Sequence, residues 1–276
     1  MSTKLYPRRE DIRPEGLPHF FCPGCGCGQV LNYFLRACDE LDMKPQDMTC
    51  IGGVGCAARI PVYLDTDVLH GVHGRTLAWA SGIKMIRPEM PVVVFAGDGD
   101  ALSIGGNHFI HAARRNVDVT VIVVNNLNFA MTGGQVAPTT PMAAHTMTTP
   151  YGSSEPPFDL CKMAEQAGAT YVSRWTTAHG LQAIRSIKTA MKHRGFSVVE
   201  IISQCPTHYG RYALGSGDPV KFVKWIKESS IPRKRAEQME PEETHEAFVV
   251  GEFVNMERPI FQGSTLYGSG DTDETT

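Results

Sequence analysis

Gly97-Asp98-Gly99 and Asn125-Asn126, twenty-five residues apart, are the residue types and spacing in this chain that most directly imply chemistry. A glycine turn at the end of a strand lets backbone N–H groups approach a diphosphate, and an acidic side chain in that turn can take a hard divalent cation through oxygen. Asp98 is that side chain. The apolar runs 92–95 and 119–124 read as two strands. The interval between them suits a βαβ unit, whose helix returns the chain so that a second parallel strand ends beside the first. Asn126 then meets Asp98 at one edge. Its side-chain oxygen and the main-chain carbonyl of Asn128 would complete the protein's share of an octahedral Mg²⁺ shell, with two phosphate oxygens and a water filling the rest. The plain alternative is a doubly wound sheet in which Gly-Asp-Gly is only a turn.

The chain has eight cysteines, at 22, 25, 27, 38, 50, 56, 161 and 205. Cys22-Pro23-Gly24-Cys25 is a C-x-x-C in a Gly- and Pro-rich loop that can wrap two thiolates around one metal. Two more thiolates are needed, and the best candidates lie in loops just beyond strands: Cys56 in 52–56 and Cys205 in 204–206. Cys38 and Cys161 fall on helical stretches and Cys50 within a strand, where a small buried hydrophobe is the usual role. Cys27 could replace Cys25, though C-x-C is a tighter bite. Four thiolates suit zinc and an iron–sulfur cluster alike.

The elements that must position these residues follow a βα alternation. Strands are expected near 48–51, 92–96, 119–124, 169–174 and 196–202, and helices near 29–41, 75–86, 105–115, 158–167 and 181–193. Runs such as VVVFA and VTVIVV are nearly continuously apolar, as parallel strands covered on both faces require. The fold class is therefore α/β, a doubly wound, mostly parallel sheet with ligands at the strands' carboxyl ends. The segment 130–151, rich in Thr, Pro and Gly, is too long for a mere connection and is expected to close over the site or meet a partner. Beyond 215 the composition changes: a short helix at 218–229, a charged stretch at 232–246, an apolar arm at 246–255 packing on another subunit, and a disordered tail from 263. The domain reading is 1–215 for the cofactor-binding unit and 216–276 for a C-terminal extension.

Composition excludes several classes. With 276 residues and a formal net charge of −3, from 26 Lys and Arg against 29 Asp and Glu, nothing suggests a nucleic-acid footprint. No stretch approaches a membrane span, and residues 1–18 hold charges and no apolar run. The expectation is a cytoplasmic protein whose cysteines serve metal or redox chemistry rather than disulfides.

The Gly-Asp-Gly to Asn-Asn pattern resembles the thiamine diphosphate fingerprint. Thiamine-dependent decarboxylation of a 2-oxo acid leaves an electron-rich adduct that must protonate, transfer its acyl carbon or give up electrons, and a cluster accepts electrons singly where zinc cannot, so context favours the cluster. Residues 22–25 (CPGC), 51–61 (IGGVGCAARIP), 71–75 (GVHGR), 97–116, 125–135 (NNLNFAMTGGQ) and 205–207 (CPT) together resemble the β subunit of 2-oxoacid:ferredoxin oxidoreductases, closest to the 2-oxoglutarate branch. The likeness runs over about 15–215.

That resemblance implies a half-enzyme, with the pyrimidine half of the cofactor held by a separate α subunit. It implies Cys22, Cys25, Cys56 and Cys205 as ligands of a [4Fe-4S] cluster, with no role for Cys27. Asp98, Asn126 and the Asn128 carbonyl would hold Mg²⁺. Gly55, Cys56 and Ala57 would line the cofactor from the cluster loop, and His73 and Gly74 from the next. Gly97, Asp98, Gly99 and Asp100 would cradle it at the turn, and Asn126, Ala130, Met131 and Thr132 past the second strand. His73 could hydrogen-bond phosphate or the reacting carbonyl, or be a surface histidine before a helix. Arg59 is placed to grip a substrate carboxylate, or to cap a helix or pair with α. Some relatives carry a Lys between the Thr and Gly of the 131–135 run; this chain reads Met131-Thr132-Gly133.

The implied reaction is decarboxylation of a 2-oxo acid with coenzyme A, giving acyl-CoA and CO₂ and sending electrons to ferredoxin, or its reverse. Pyruvate is the alternative substrate. A cluster-free thiamine decarboxylase and a zinc-stapled scaffold are the alternatives from other classes.

Overall fold

A computed structural model of the protein describes residues 9–261, so the tail expected from 263 lies outside the described residues. Eight strands form one sheet: β1 (Thr49–Gly52), β2 (Asp67–His70), β3 (Val92–Gly97), β4 (Val119–Asn125), β5 (Tyr171–Thr176), β6 (Phe196–Ile202), β7 (Ser230–Pro232) and β8 (Phe248–Asn255). Their order across the sheet is β2-β1-β3-β4-β6-β5-β8-β7. The first six are parallel, β8 runs antiparallel to β5, and β7 pairs parallel with β8.

Every residue of β4 and β6 is buried, which is why their sequences lack polar alternation. Alternation survives as a choice of helix layer. Val119, Val121 and Val123 face a layer formed by α2 (Thr76–Ile86), α3 (Gly106–Arg114) and α4 (Leu160–Ala167); Ile122 and Val124 face α1 (Gly26–Leu41) and α5 (Gly180–Lys192). One aromatic pair pins each layer edge-to-face, Phe34 on Phe95 at 5.1 Å and Phe109 on Phe196 at 5.5 Å. Such pairs add about 0.5–1.5 kcal/mol beyond their burial. Asp159 starts α4 by accepting from the Lys162 N–H, and Gly168, at φ +95°, ends it.

Several elements depart from the sequence reading. Strand β2 was not anticipated because DVLH is short, half polar and mostly exposed on the sheet edge. The fifth strand begins at Tyr171 rather than 169, since the Ala169 N–H still bonds back to the Ala164 carbonyl of α4. The segment 246–255 is no arm on another subunit: Phe248–Asn255 is β8, hydrogen-bonded to β5 of the same chain. It follows a one-turn α6 (Arg211–Ala213) and α7 (Pro219–Glu228), the latter close to the expected 218–229.

Candidate cofactor and metal site

The strand order gathers the chemistry. Strands β2, β1, β3, β4 and β6 are consecutive neighbours with their carboxyl ends on one rim. Past those ends come His73, then Cys56, then Asp98 and Asp100, then Asn126 and Asn128, then Cys205. Residues spread over about 150 positions of sequence, from Cys56 to Cys205, thus meet along one edge.

Asp98 is 1% exposed and accepts a 2.5 Å hydrogen bond from the Thr139 hydroxyl as well as backbone N–H groups of Asn126 and Gly99. Burial pushes its carboxyl up to about 7 against those hydrogen bonds. Asn126 Oδ1 and both side-chain polar atoms of Asn128 are buried with no hydrogen-bond partner. Buried amides are almost always satisfied, so the orphaned oxygen of Asn126, next to the buried Asp98, marks a place for a cation or ligand. Leu127, between the two asparagines, sits at φ +65°, a left-handed conformation that a branched side chain rarely takes and that makes the bend between them.

The thiols form the neighbouring group. The Cys22–Cys25 turn is closed by a 2.9 Å bond from the Cys25 N–H to the Cys22 carbonyl. Gly24 adopts φ +75° there, and a Cβ on it would lie 2.5 Å from Pro219. Gln204 holds this loop to the end of β6: its amide donates to the Gly24 carbonyl at 3.1 Å and its own carbonyl accepts from the Gly26 N–H at 3.1 Å. Cys56 feels the charges of Cys25, Cys205 and Cys22, so the four expected ligands share one neighbourhood. A hydrogen bond from Cys27 brings the Cys25 thiol down to about 7. Burial, then the nearby thiolates, pushes Cys56 up to about 12. Cys27 is fully buried in the first turn of α1 and packs in the core.

Among the described residues no three His, Cys, Asp or Glu side chains close on a single point as a one-ion site would require. The thiols are instead an open array. Asn128 lies beside the Cys205 sulfur without completing a full hydrogen bond, so the array and the Asp98 group adjoin.

Asp100 turns away from Asp98 toward the preceding loops. Its Oδ1 contacts His73 Nδ1 and accepts from the N–H groups of Gly74 at 2.8 Å and Val54 at 3.3 Å. A carboxylate only accepts, so Nδ1 carries the proton and His73 Nε2 is the ring nitrogen left for other work. A Cβ on Gly53 would sit 2.1 Å from the Asp100 carboxylate, which is why glycine stands there. His73 is one-third exposed. Arg59 is exposed in the turn Ala57–Tyr63, near enough to lower the pKa of His70, although burial is the larger cause of that shift. Ala57 and Ala130 are buried, Met131 is exposed, and the Thr132 hydroxyl donates to Gln135 rather than toward the rim.

Sequence reasoning missed Thr139 and Gln204, and gave Asn125 no role beyond its place in the Asn125-Asn126 pair. The doubled threonine in 138–141 (PTTP) was the available signal, but no spacing rule ties it to Asp98.

Residues 52–201 match the family model described as thiamine pyrophosphate enzyme, C-terminal TPP binding domain. A 2-oxoglutarate synthase subunit KorB from Methanocaldococcus jannaschii is 52% identical over 257 residues, 93% of this chain and 95% of that relative. The chain belongs to the KorB family of 2-oxoacid:ferredoxin oxidoreductase β subunits. A KorB from Methanothermobacter thermautotrophicus is 48% identical, covering 94% of this chain and 90% of the relative. A solved 2-oxoglutarate:ferredoxin oxidoreductase from Magnetococcus marinus, with 2-oxoglutarate, coenzyme A and succinyl-CoA bound, superimposes with a TM-score of 0.82 at 30% identity, covering 96% of this chain and 89% of that one. As a KorB-family member the chain is an enzyme subunit with a thiamine diphosphate domain, and the expected parallel α/β fold is the one found. Among the described residues no helix is long and apolar enough to cross a membrane.

Proposed function

We propose that this chain is the diphosphate-binding and electron-exit half of a 2-oxoglutarate:ferredoxin oxidoreductase. 2-Oxoglutarate and coenzyme A become succinyl-CoA and CO₂, and two electrons leave one at a time to ferredoxin. The observation that carries this reading is the adjacency of the Asp98–Asn126–Asn128 group and the thiol array across Asn128 and Cys205. An α subunit supplies the rest of the cofactor site, and the cysteine-rich, disulfide-free chain works in the cytoplasm.

Asp98, the Asn126 side chain and the Asn128 carbonyl hold Mg²⁺, which suits the orphaned oxygen of Asn126 and the oxygen-only donor set. Cys22, Cys25, Cys56 and Cys205 would hold a [4Fe-4S] cluster through their thiolates. When bound, thiamine diphosphate supplies the nucleophilic carbon for decarboxylation and the cluster supplies one-electron acceptance. The turn at Gly97 and Gly99 presents backbone N–H groups to the diphosphate, with Gly55 and Gly74 in the adjoining loops. Asp100 fixes the His73 ring so that Nε2 can hydrogen-bond a substrate or phosphate oxygen. Arg59, beside His70, offers cationic charge to a carboxylate of the substrate.

Two measurements test this. The chain co-expressed with its α partner should form succinyl-CoA from 2-oxoglutarate at least about tenfold faster than acetyl-CoA from pyruvate. Equal rates would defeat the substrate assignment. The second follows from Asp98. A carboxyl raised to about 7 must ionise to bind a cation, so Mg²⁺ uptake should release more proton at pH 6 than at pH 8. The same shift means that the metal-free fold loses stability as pH rises from about 4 through 7, because the ionised form is the desolvated one. Titration calorimetry in buffers of different ionisation heat reads the proton count; a count that does not change with pH would remove Asp98 from the metal.

A further inference from the structure

The segment 126–159 between β4 and α4 is fastened to the site from inside. Thr139 and Thr140 are 4% and 1% exposed. The Thr140 hydroxyl donates to the Leu127 carbonyl at 2.7 Å and accepts from the Ala137 N–H at 2.8 Å, which fixes the loop against the bend between the two asparagines. The Thr139 hydroxyl lies 2.5 Å from Asp98 Oδ2 and 3.0 Å from Asn125 Oδ1.

Asn125 is not free to turn. Its Nδ2 donates to Glu200 Oε1 at 2.8 Å and its Oδ1 accepts from the Leu127 N–H at 3.1 Å. Glu200 accepts from Arg174 Nε at 2.6 Å, and Arg174 Nη2 donates to Asp159 at 2.6 Å, the residue that starts α4. With its single proton on the shorter contact, to Asp98, the Thr139 hydroxyl rests at 3.0 Å against Asn125 Oδ1, and from Asn125 a buried polar chain runs through Glu200 and Arg174 to Asp159. It touches the loop in its middle and again at its end.

We propose that Thr139 is a positioning residue for the metal-binding carboxylate, holding one oxygen of Asp98 against the Asn125–Glu200–Arg174 chain. The inference rests on the reading of Asp98 as a Mg²⁺ ligand. Partners that orient a ligating carboxylate are worth 10–100-fold in metal affinity by general experience. Valine matches threonine in shape and lacks only the hydroxyl, while serine keeps it.

The full chain, stripped of metal, is titrated with Mn²⁺ in the presence of thiamine diphosphate, and free Mn²⁺ is read by electron paramagnetic resonance. Thermal unfolding of each metal-free protein is recorded in parallel. Thr139→Val should weaken Mn²⁺ binding about 10–100-fold, Thr139→Ser should bind within about threefold of the parent, and Asp98→Asn should abolish binding. Two results overturn the proposal. If Thr139→Val lowers the melting temperature yet binds Mn²⁺ as the parent does, while Asp98→Asn does not bind, Thr139 is only structural and the metal assignment stands. If Asp98→Asn binds as the parent does, the metal assignment has failed and the role of Thr139 falls with it.

Discussion

Replacing Cys205 by alanine should strip the iron from the protein, from about four irons per chain to nearly none, and leave the thiamine-binding fold standing. The two halves of this outcome have separate causes. Cys205 is 6% exposed and packs among Leu127, Tyr209 and Phe222, so losing one sulfur there leaves a small void and costs about 1 kcal/mol. The main-chain bond from Gly210 N–H to the Cys205 carbonyl is untouched, so the turn after β6 keeps its path. Three thiolates, by contrast, leave one corner of a cluster without its ligand. Cys27→Ala is the control. Cys27 faces the core from α1, and its removal should keep the iron while freeing the Cys25 thiol of the hydrogen bond that lowers it. Iron analysis and the visible absorbance of anaerobically purified protein read both variants. Colourless parent protein with stoichiometric zinc would sink the redox reading, and iron retained in Cys205→Ala but lost in Cys27→Ala would show a different set of ligands.

The parts of this site that were legible in the sequence are those whose spacing is dictated by backbone geometry. Gly97-Asp98-Gly99 and Asn126 lie at successive parallel strand ends, and a βαβ unit allows only a narrow range of intervals between them. Cys22 and Cys25 are joined by a single turn. Cys56 and Cys205 were found because both follow buried apolar runs, and the sheet then made β1 and β6 two of the strands that share the rim. What stayed hidden depends on tertiary contact. Asp100 stands two residues from Asp98, and only the wide π-helical turn Asp100–Ile104 sends its carboxylate toward His73. Thr139 reaches Asp98 across 41 residues of sequence through a loop with no periodicity. Strand β8 looked like an arm because Phe248–Asn255 follows a charged stretch, yet β5 would otherwise present an open edge. Arg174 closes that edge, lying 5.6 Å above the Phe253 ring of β8 and donating to the Val249 carbonyl.

Arg174→Met should destabilise the protein by about 3–5 kcal/mol. Arg174 is 7% exposed and sits between Glu200, 1% exposed, and Asp159, with 2.6 Å bonds to each. Methionine fills similar volume, so the loss is electrostatic: Glu200 becomes a buried carboxylate whose remaining donors are the Asn125 amide and the Cys161 thiol. In a chain of this size that is a fall of roughly 6–15 °C in melting temperature. Arg174→Met combined with Glu200→Gln removes the unpaired charge but keeps an oxygen for Asn125, so at least about half of the loss, about 1.5–2.5 kcal/mol, should return. Strict additivity of the two changes would mean that the ion pair contributes nothing beyond its parts. The double variant also separates fold from site. If the Arg174–Glu200 pair serves mainly to hold Asn125, and through it Thr139 and Asp98, then stability returns in the double variant together with cation affinity, because glutamine presents Asn125 with the same acceptor that glutamate did.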